Sequence, residues 1–281
     1  MKKLILPAAV FVALASSGAI ADNGKNKGEG NSNAGGSKGC NNPYLPSFAD
    51  LRNALQGAIA PTGGPGNGGF DLNMWATVVD RDGIVCAVAK SGADRGDQWP
   101  GSRVISGQKA STANSFSLNG LALSTANLWA ATQPGGSLFG LQFSNPVDTE
   151  VAYAGPGDSN LNSVRRYGTR RDPMVGNIVG GVNVFGGGLA LYGPDGKVIG
   201  AVGVSGDTSC ADHNIGWRVR DALALDNGPN NDNIIFDLDG DGVSASGFGH
   251  PTCGGPGDVD GNGDPDDVED NEAVLADAPL G

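Results

Sequence analysis

Between residues 180 and 220 the chain reads GGVNVFGGGLALYGPDGKVIGAVGVSGDTSCADHNIGWRVR. Two apolar runs, 189–192 and 197–204, flank an Asp-Gly turn, which is typical of a β-hairpin. Gly200 and Gly203 interrupt the second run and indicate close approach of another backbone or of a ligand. Ser209 and Asp212 have capping-box spacing, which predicts a helix with His213 in its first turn. The apolar residues of that helix recur at helical spacing at Ile215, Val219, Ala222 and Leu223.

The upstream sequence predicts a second hairpin, because the apolar runs 72–79 and 84–89 flank another Asp-Gly turn. We therefore expect one antiparallel sheet that contains both hairpins. A helix is predicted from Ser47 to the stop at Pro61, and another from an N-cap at Ser102. The remaining predictions are a short helix over 121–131, a long loop over 138–178 and a short strand over 234–236. Lys109, on the second long helix, is interpreted as a solvated charge, with an anion partner as the alternative.

The charge of the chain is uneven. The formal net charge is −12, from 30 acidic and 18 basic residues, and 14 of the acidic residues lie from Asp226 onward, where there is no Lys or Arg. Subtraction leaves 16 acidic residues against 18 basic ones in the preceding part. An acidic tail on a nearly neutral body argues against nucleic acid as a partner.

The N-terminus has the pattern of a secretory signal peptide, with Lys2-Lys3, an apolar run over 4–14 and cleavage after Ala21. We expect a periplasmic or secreted protein without a membrane anchor, because the apolar run is too short to span a bilayer. Residues 22–42 are rich in Gly and Asn and predict a flexible leader. We place the folded domain at 43–236 and an acidic Asp/Gly-rich extension at 237–281.

Four cysteines are disulfide candidates in such a compartment, namely Cys40, Cys86, Cys210 and Cys253. Four cysteines allow about three pairings, and their spacing does not choose among them. Cys210-Ala-Asp-His213 and His250-Pro-Thr-Cys253 are arranged symmetrically, however. This symmetry favours a Cys210–Cys253 disulfide that would bring the two histidines together. A zinc site built from the same four residues is the less favoured interpretation.

The acidic extension carries a calcium-like pattern. An EF-hand loop needs carboxylates at alternating positions, a glycine for the turn and a glutamate at its twelfth position. One loop fits and a second begins the pattern but ends at Phe248, and the preceding helix of an EF-hand is missing from both. Calcium binding and a solvated acidic tail both remain open. The proposed ligands are Asp258, Asp260, Asn262, Asp264, Asp266 and Glu269 in the first loop, and Asp237, Asp239 and Asp241 in the second.

Several segments, in this order, resemble the GlcG/HbpS family of haem-binding or haem-degrading proteins, related to the C-terminal domain of PduO-type proteins. They are VVDRDG at 78–83, KASTA at 109–113, the glycine pairs at 180–181 and 186–187, and GKVIGAVGVSG at 196–206 followed by Asp212. The resemblance covers roughly residues 45–225. It implies an α+β, profilin-like (GlcG-like) antiparallel sheet flanked by helices, and homo-oligomers. The composition adds a disordered leader and a disordered acidic tail.

The resemblance also implies a haem or related tetrapyrrole ligand, which needs an axial ligand and cations for its propionates. The candidate imidazoles are His213 and His250, although both would equally serve as hydrogen-bonding groups around a structural disulfide. Candidate propionate partners are Arg165, Arg166 and Arg218, and the arginine-rich loop at 165–171 would also suit salt bridges between subunits.

Two other chemistries are weakly indicated. Residues 203–207 fall short of a G-x-S-x-G nucleophile elbow, because Asp207 takes the place of the last glycine. The glycines at 186–188 are not followed by the Gly-Lys-Ser/Thr of a phosphate-binding loop.

The family resemblance thus favours an extracytoplasmic haem-binding protein, with haem degradation as an extension and enzymatic activity undecided. The alternative is a structural or interaction protein with a calcium-binding tail.

Overall fold

A four-stranded antiparallel sheet with strand order β2-β1-β4-β3 forms the centre of the fold. The computed structural model describes residues 39–59, 66–153, 162–229 and 231–253. The strands are β1 (Trp75–Asp80), β2 (Val85–Lys90), β3 (Gly188–Tyr192) and β4 (Val198–Ser205). The helices are α1 (Phe48–Ala58), α2 (Ser102–Phe116), a 3₁₀ turn (Ala126–Leu128) leading into α3 (Trp129–Thr132), α4 (Leu141–Ser144), α5 (Thr149–Ala152), α6 (Asn162–Arg165) and α7 (Ser209–Ala222).

The two predicted hairpins meet along β1 and β4. Trp75 lies opposite Ser205, and Asp80 lies opposite Gly200. Each Asp-Gly turn therefore closes a hairpin, and the outer strands β2 and β3 complete the sheet. The prediction of one α+β antiparallel sheet is confirmed.

Helices cover both faces of the sheet. Helix α2 packs on one face, where Val104 and Ala110 join Trp75 and Val79 in a buried cluster. Helices α1 and α7 pack on the other face, where a larger cluster includes Leu51, Leu55, Ile215 and Val219. Every residue of β1 is buried, which explains why its sequence is a continuous apolar run rather than an alternating one.

Glycine at position 203 allows α2 to lie close to β4. A Cβ at this position would clash with the carbonyl oxygen of Ser106 and lie 2.5 Å from the amide nitrogen of Ala110. The neighbouring Thr77 and Ser106 hydroxyls are 2.7 Å apart across the same interface. The predicted close approach at Gly203 is therefore made by the backbone of α2.

The helix caps differ in part from the sequence predictions. The N-terminus of α1 has a full capping box formed by Ser47 and Asp50. Helix α2 is capped by Gly101, with Ser102 already inside the helix. Helix α7 is capped by Thr208, whose hydroxyl accepts from the Ala211 N–H, so the capping box predicted from Ser209 and Asp212 is wrong. The Asp212 carboxylate instead reaches backward to the end of β4.

Three further predictions need correction. The helical run predicted for 121–131 begins only at Ala126, because Leu121 forms a bridge with Leu118. The loop predicted for 138–178 contains three single-turn helices, α4, α5 and α6. Residues 234–236 form no strand, although the carbonyl of Ile235 accepts from the His250 N–H. Short segments of this kind take their structure from packing rather than from local preference.

Buried ion pairs attach the longer connections to the sheet and helices. Arg103 of α2 binds Asp172, with Nε 2.8 Å from the carboxylate. Arg220 of α7 binds Asp232 at 2.6 Å, just before the acidic extension. Within the described ranges, no helix combines the length and apolarity that crossing a membrane requires.

Candidate functional site

The α7 cleft lies where Phe185, the start of α2, the end of β4 and the start of α7 meet. Its volume is about 320 Å³, at the small end of the range for ligand pockets. The lining residues are Trp99, Ser102, Ile105, Phe185, Ser205, Asp207, Thr208, Ser209 and Asp212. The cleft therefore combines an apolar wall with a polar floor.

The apolar wall is formed by side chains that remain accessible to solvent. Trp99 is 50% exposed and Phe185 is 52% exposed, and Ile105 lies beside them in the lining. Large aromatic side chains at this exposure leave flat apolar surface available to a ligand. The wall is thus suited to a planar apolar group.

A buried ion pair supports the floor of the cleft. Lys109 Nζ lies 2.5 Å from Asp212 Oδ2 and also donates to the Val204 carbonyl at 3.0 Å. Lys109 is completely buried, so its interpretation as a solvated charge is wrong. The alternative, an anion partner, is confirmed, and that partner is Asp212. Asp212 Oδ1 accepts from the backbone N–H groups of Gly206 and Asp207. This network fixes the turn between β4 and α7.

Burial acts on both members of this pair. It raises the pKa of Asp212 to about 6, against the opposing attraction of Lys109. It also lowers the pKa of Lys109, against the attraction of Asp212. The floor therefore contains a carboxyl group whose protonation changes near physiological pH.

His213 follows the lining residue Asp212 in the second turn of α7 but does not itself line the cleft. Its ring is fully buried and packs at 6.0 Å from the Trp217 ring. Neither ring nitrogen has a hydrogen-bond partner among the described residues. Burial, followed by repulsion from Arg220, His250 and Lys109, lowers the pKa of His213 to about 3. The imidazole is therefore neutral at pH 7 and offers an unused nitrogen lone pair.

His250 is brought to the same region, as the sequence predicted for a Cys210–Cys253 disulfide. Its Nε2 lies 2.7 Å from Ser209 Oγ, and its Nδ1 lies 2.6 Å from the Pro251 carbonyl. Burial lowers its pKa to about 4, although the bond to Pro251 opposes the shift. The two histidines therefore differ, since His250 uses both nitrogens and His213 uses neither.

Both cysteine pairs are disulfides in the structure. Cys40 is bonded to Cys86 and Cys210 to Cys253, with Cα–Cα distances of 5.5 and 5.9 Å. Cys210, His250 and Cys253 each place a ligand atom within 4.8 Å of the others. Because both sulfurs are bonded to each other, they provide no thiolate for zinc.

The predicted propionate partners lie in different places. Arg165 ends α6 and is exposed, whereas Arg166 and Arg218 are partly buried. The end of the arginine-rich loop lines a second cavity of about 430 Å³, the basic pocket, with Phe48, Arg52, Lys90, Gly168, Thr169, Arg170 and Arg171. Positive charge therefore collects at this pocket, whereas the lining of the α7 cleft contains no arginine or lysine.

In the partial calcium loop, two of the predicted ligand side chains accept hydrogen bonds from other residues of the loop. Asp237 accepts from Ser244 Oγ at 2.7 Å and from the Ser246 N–H at 2.7 Å. Asp239 accepts from the N–H groups of Asp241 and Val243. The other loop, Asp258 to Glu269, lies outside the described residues, and its calcium binding stays a prediction.

Sequence reasoning missed the two polar pairs that shape the cleft. Lys109 and Asp212 are 103 positions apart, and Ser209 and His250 are 41 positions apart. No local spacing connects residues at such separations. The one available signal was that Lys109 and Asp212 both belong to the segments on which the family resemblance was based.

The geometry defines an α+β protein with a small aromatic-walled cleft backed by a neutral buried histidine. The chain matches the family model described as haem degrading protein HbpS-like over residues 70–219. This match covers more than half of the chain, and the protein belongs to the HbpS-like family. No curated protein gives a significant match.

Two solved structures are similar to the chain. One is the crystal structure of the Klebsiella pneumoniae protein ORFY, at 23% identity and a TM-score of 0.40, covering 63% of this chain and 90% of that one. The other is a crystal structure of a PduOC–haem complex, at 20% identity and a TM-score of 0.41, covering 62% of this chain and 90% of that one.

Proposed function

We propose that the protein binds haem or a related tetrapyrrole at the α7 cleft. The observation that carries this proposal is the match to the HbpS-like haem-degrading family over residues 70–219. That range contains every residue that lines the cleft. The aromatic wall of Trp99 and Phe185 would contact the macrocycle, since a tetrapyrrole is flat and largely apolar.

His213 is the axial-ligand candidate that the contacts favour. An iron ligand must present a neutral imidazole nitrogen. His213 meets this requirement because its pKa is lowered to about 3 and its nitrogens are unpartnered among the described residues. A buried polar group without a partner costs free energy, and ligation would remove that cost. Bound haem would supply an iron centre for ligand binding or redox chemistry.

His250 is the second axial-ligand candidate. Its nitrogens already bond to Ser209 and to the Pro251 carbonyl, so ligation would require breaking one of these bonds. Arg165, Arg166 and Arg218 stay candidates for the propionates, and the arginines of the basic pocket would suit the same anionic groups.

The proposal also includes a location outside the cytoplasm and the degradation of haem. The location is supported by two disulfides, which persist in oxidising compartments. The predicted signal peptide, residues 1–21, lies outside the described residues. Degradation is supported by the family description alone. A homo-oligomer stays a prediction, which light scattering of the purified protein would check.

The direct test is a haemin titration of the purified apoprotein, followed by absorbance in the Soret region. We expect a saturable, shifted band at about one haem per chain. His213→Gln preserves approximate volume and removes the imidazole, so it should abolish the shifted band. His250→Gln is the matched control and should retain it.

Circular dichroism of each variant establishes that the protein remains folded. No saturable change in the folded wild type would contradict tetrapyrrole binding. A band unchanged in His213→Gln would contradict the axial-ligand assignment while leaving haem binding in place. A band lost only in His250→Gln would indicate that His250, rather than His213, is the axial ligand.

The alternative is a structural or interaction protein whose acidic tail binds calcium. The contacts of Asp237 and Asp239 do not favour it, because their oxygens already accept hydrogen bonds within their own loop. The loop from Asp258 to Glu269 stays the stronger calcium candidate. Calorimetric titration of chelator-treated protein with Ca²⁺ would decide it, and absence of binding would remove the alternative.

A further inference from the structure

The start of α7 places a serine hydroxyl against a buried imidazole. Ser209 Oγ and His250 Nε2 lie 2.7 Å apart. Ser209 is the first residue of α7, is partly exposed and lines the α7 cleft. His250 is 2% exposed and lies behind it. Ser209 therefore forms part of the cleft lining, whereas the imidazole that it contacts is nearly inaccessible to water.

The hydrogen bonds of His250 define which nitrogen carries the proton. The Pro251 carbonyl can only accept, so Nδ1, at 2.6 Å from it, carries the hydrogen. His250 is 2% exposed, and its ring nitrogens contact a hydroxyl and a carbonyl rather than a carboxylate, so the buried imidazole is neutral and Nε2 is unprotonated. Ser209 must then donate its hydroxyl hydrogen to Nε2. This is the direction of transfer that activates a serine nucleophile.

Several independent contacts hold His250 in this position. Its backbone N–H donates to the Ile235 carbonyl at 2.7 Å, and the Gly249 carbonyl accepts from the Ala130 N–H at 3.2 Å. The Trp129 ring packs against the imidazole with centroids 6.1 Å apart. Cys253 is bonded to Cys210, the residue that follows Ser209. The imidazole is therefore fixed relative to α7 before any ligand arrives.

The surroundings of Ser209 favour negative charge on its oxygen. The Gly186 N–H donates to Ser209 Oγ at 2.6 Å. The hydroxyl also lies at the N-terminus of a 14-residue helix, where the aligned peptide dipoles attract anions. This N–H is directed at the serine oxygen, so together with the helix dipole it favours negative charge on the nucleophile as His250 takes its proton.

We propose that Ser209 and His250 form a nucleophile–base pair that accepts the acyl group of small, uncharged carboxylic esters bound in the α7 cleft. The apolar wall of Trp99, Ile105 and Phe185 would hold the apolar part of the ester. The lining of the cleft contains no arginine or lysine that would bind an anionic substrate. A small ester fits within the cleft volume of about 320 Å³, whereas a tetrapyrrole would extend beyond it.

The chemistry balances without a cofactor. Ser209 Oγ attacks the ester carbonyl carbon while His250 Nε2 takes the hydroxyl proton. The ester C–O bond then breaks, and the alcohol leaves with the proton that His250 returns. Water next attacks the acyl-serine, His250 takes a proton from it, and release of the carboxylic acid restores the Ser209 hydroxyl.

This activity uses Ser209 and His250, whereas the favoured iron ligand is His213, but a tetrapyrrole in the same cleft would block the ester, so the two activities would exclude each other. The activity is distinct from the incomplete nucleophile-elbow pattern at 203–207, whose serine is Ser205. His250 Nδ1 contacts a carbonyl rather than the carboxylate of a Ser-His-Asp triad, so His250 is a weaker base than a triad histidine. Turnover is therefore expected to be slow, and covalent labelling is the more sensitive measurement.

The test treats the haem-free, disulfide-intact protein with a small uncharged fluorophosphonate and maps the adduct by mass spectrometry. We expect an adduct on Ser209 that disappears in Ser209→Ala. In His250→Gln the labelling rate should fall by about 100-fold or more, as expected for loss of a general base. Ser115→Ala changes an exposed serine of α2 that does not line the cleft, and it should label at the wild-type rate.

Absence of labelling in the folded wild type would overturn the proposal, as would an adduct on another serine. Equal labelling rates in the wild type and in a folded His250→Gln variant would overturn the role of His250.

Discussion

Lys109 and Asp212 show how one residue pair connects the sheet to the cleft. Lys109 crosses from α2 past β4, and its ammonium group ends on a carboxylate that also binds two backbone N–H groups. Both side chains are nearly inaccessible to solvent, at 0% and 4%. Removing one partner of such a pair leaves the other charge buried without compensation.

We therefore predict that Lys109→Met lowers the free energy of unfolding by about 3–5 kcal/mol. The matched control is Lys197→Met, because Lys197 pairs with Asp195 on the surface, with side chains 67% and 58% exposed. That substitution should have a much smaller effect, because water and salt screen an exposed ion pair. Urea denaturation of the three proteins measures both values. Equal costs in the two variants would contradict the importance of the buried pair.

The two histidines differ in their hydrogen bonding. The sequence pointed to both histidines through their symmetrical cysteine neighbours. The contacts separate them, because His250 is fully hydrogen-bonded and His213 is not. Hydrogen bonding therefore assigns the two imidazoles to different proposed roles.

At the scale of elements, the packing of α2 on β4 depends on glycine. A side chain at position 203 would enter the space occupied by the α2 backbone, whereas a side chain at Gly57 in α1 would meet no atom within 4 Å. The two glycines thus have opposite expected responses to the same substitution.

Gly203→Ala should destabilise the protein by at least about 3 kcal/mol, because α2 would have to move away from the sheet and lose buried contacts. Gly57→Ala should instead stabilise it by about 0.5–1 kcal/mol, since alanine is the better helix former. Thermal and urea denaturation would measure both changes. A neutral Gly203→Ala would show that the α2–β4 contact is looser than the structure indicates.

At the scale of the whole molecule, the buried titratable groups determine the response to acid. The unfolded chain protonates its histidines below about pH 6.5, but the folded pKa values are about 3 for His213 and about 4 for His250. Because the unfolded chain then binds protons that the folded protein does not, the free energy of unfolding falls as the pH drops below about 6.5, and this loss is absent above that pH. Asp212 acts in the opposite sense between about pH 4 and 6, because its raised pKa favours the folded state on acidification.

We predict that His213→Gln reduces the slope of unfolding free energy against pH by up to one proton, on the order of 1 kcal/mol per pH unit, between pH 4 and 6. Urea denaturation at a series of pH values measures the slope. The offset at pH 8 reports the packing cost of the substitution separately, so the two effects are distinguishable. Parallel wild-type and variant curves would mean that His213 titrates normally in the folded state.

Sequence patterns specified the main elements well. Apolar runs around two Asp-Gly turns identified all four strands and their arrangement in one sheet, and helical periodicity identified α1, α2 and α7. The predictions were wrong for short segments, namely the run 121–131, the strand 234–236 and the caps at Ser102 and Ser209. Such segments have weak local preferences, so neighbouring elements determine their conformation.

The amino-acid sequence by itself determined the fold class, because hydrophobic periodicity and turn residues act over a few positions and need no knowledge of distant contacts. The tertiary structure alone decided the chemistry of the cleft. It buried Lys109 against Asp212, separated the roles of His213 and His250, and placed Ser209 beside an imidazole 41 residues away. These relations depend on which elements pack together and on how burial shifts each pKa, and neither is encoded in local spacing.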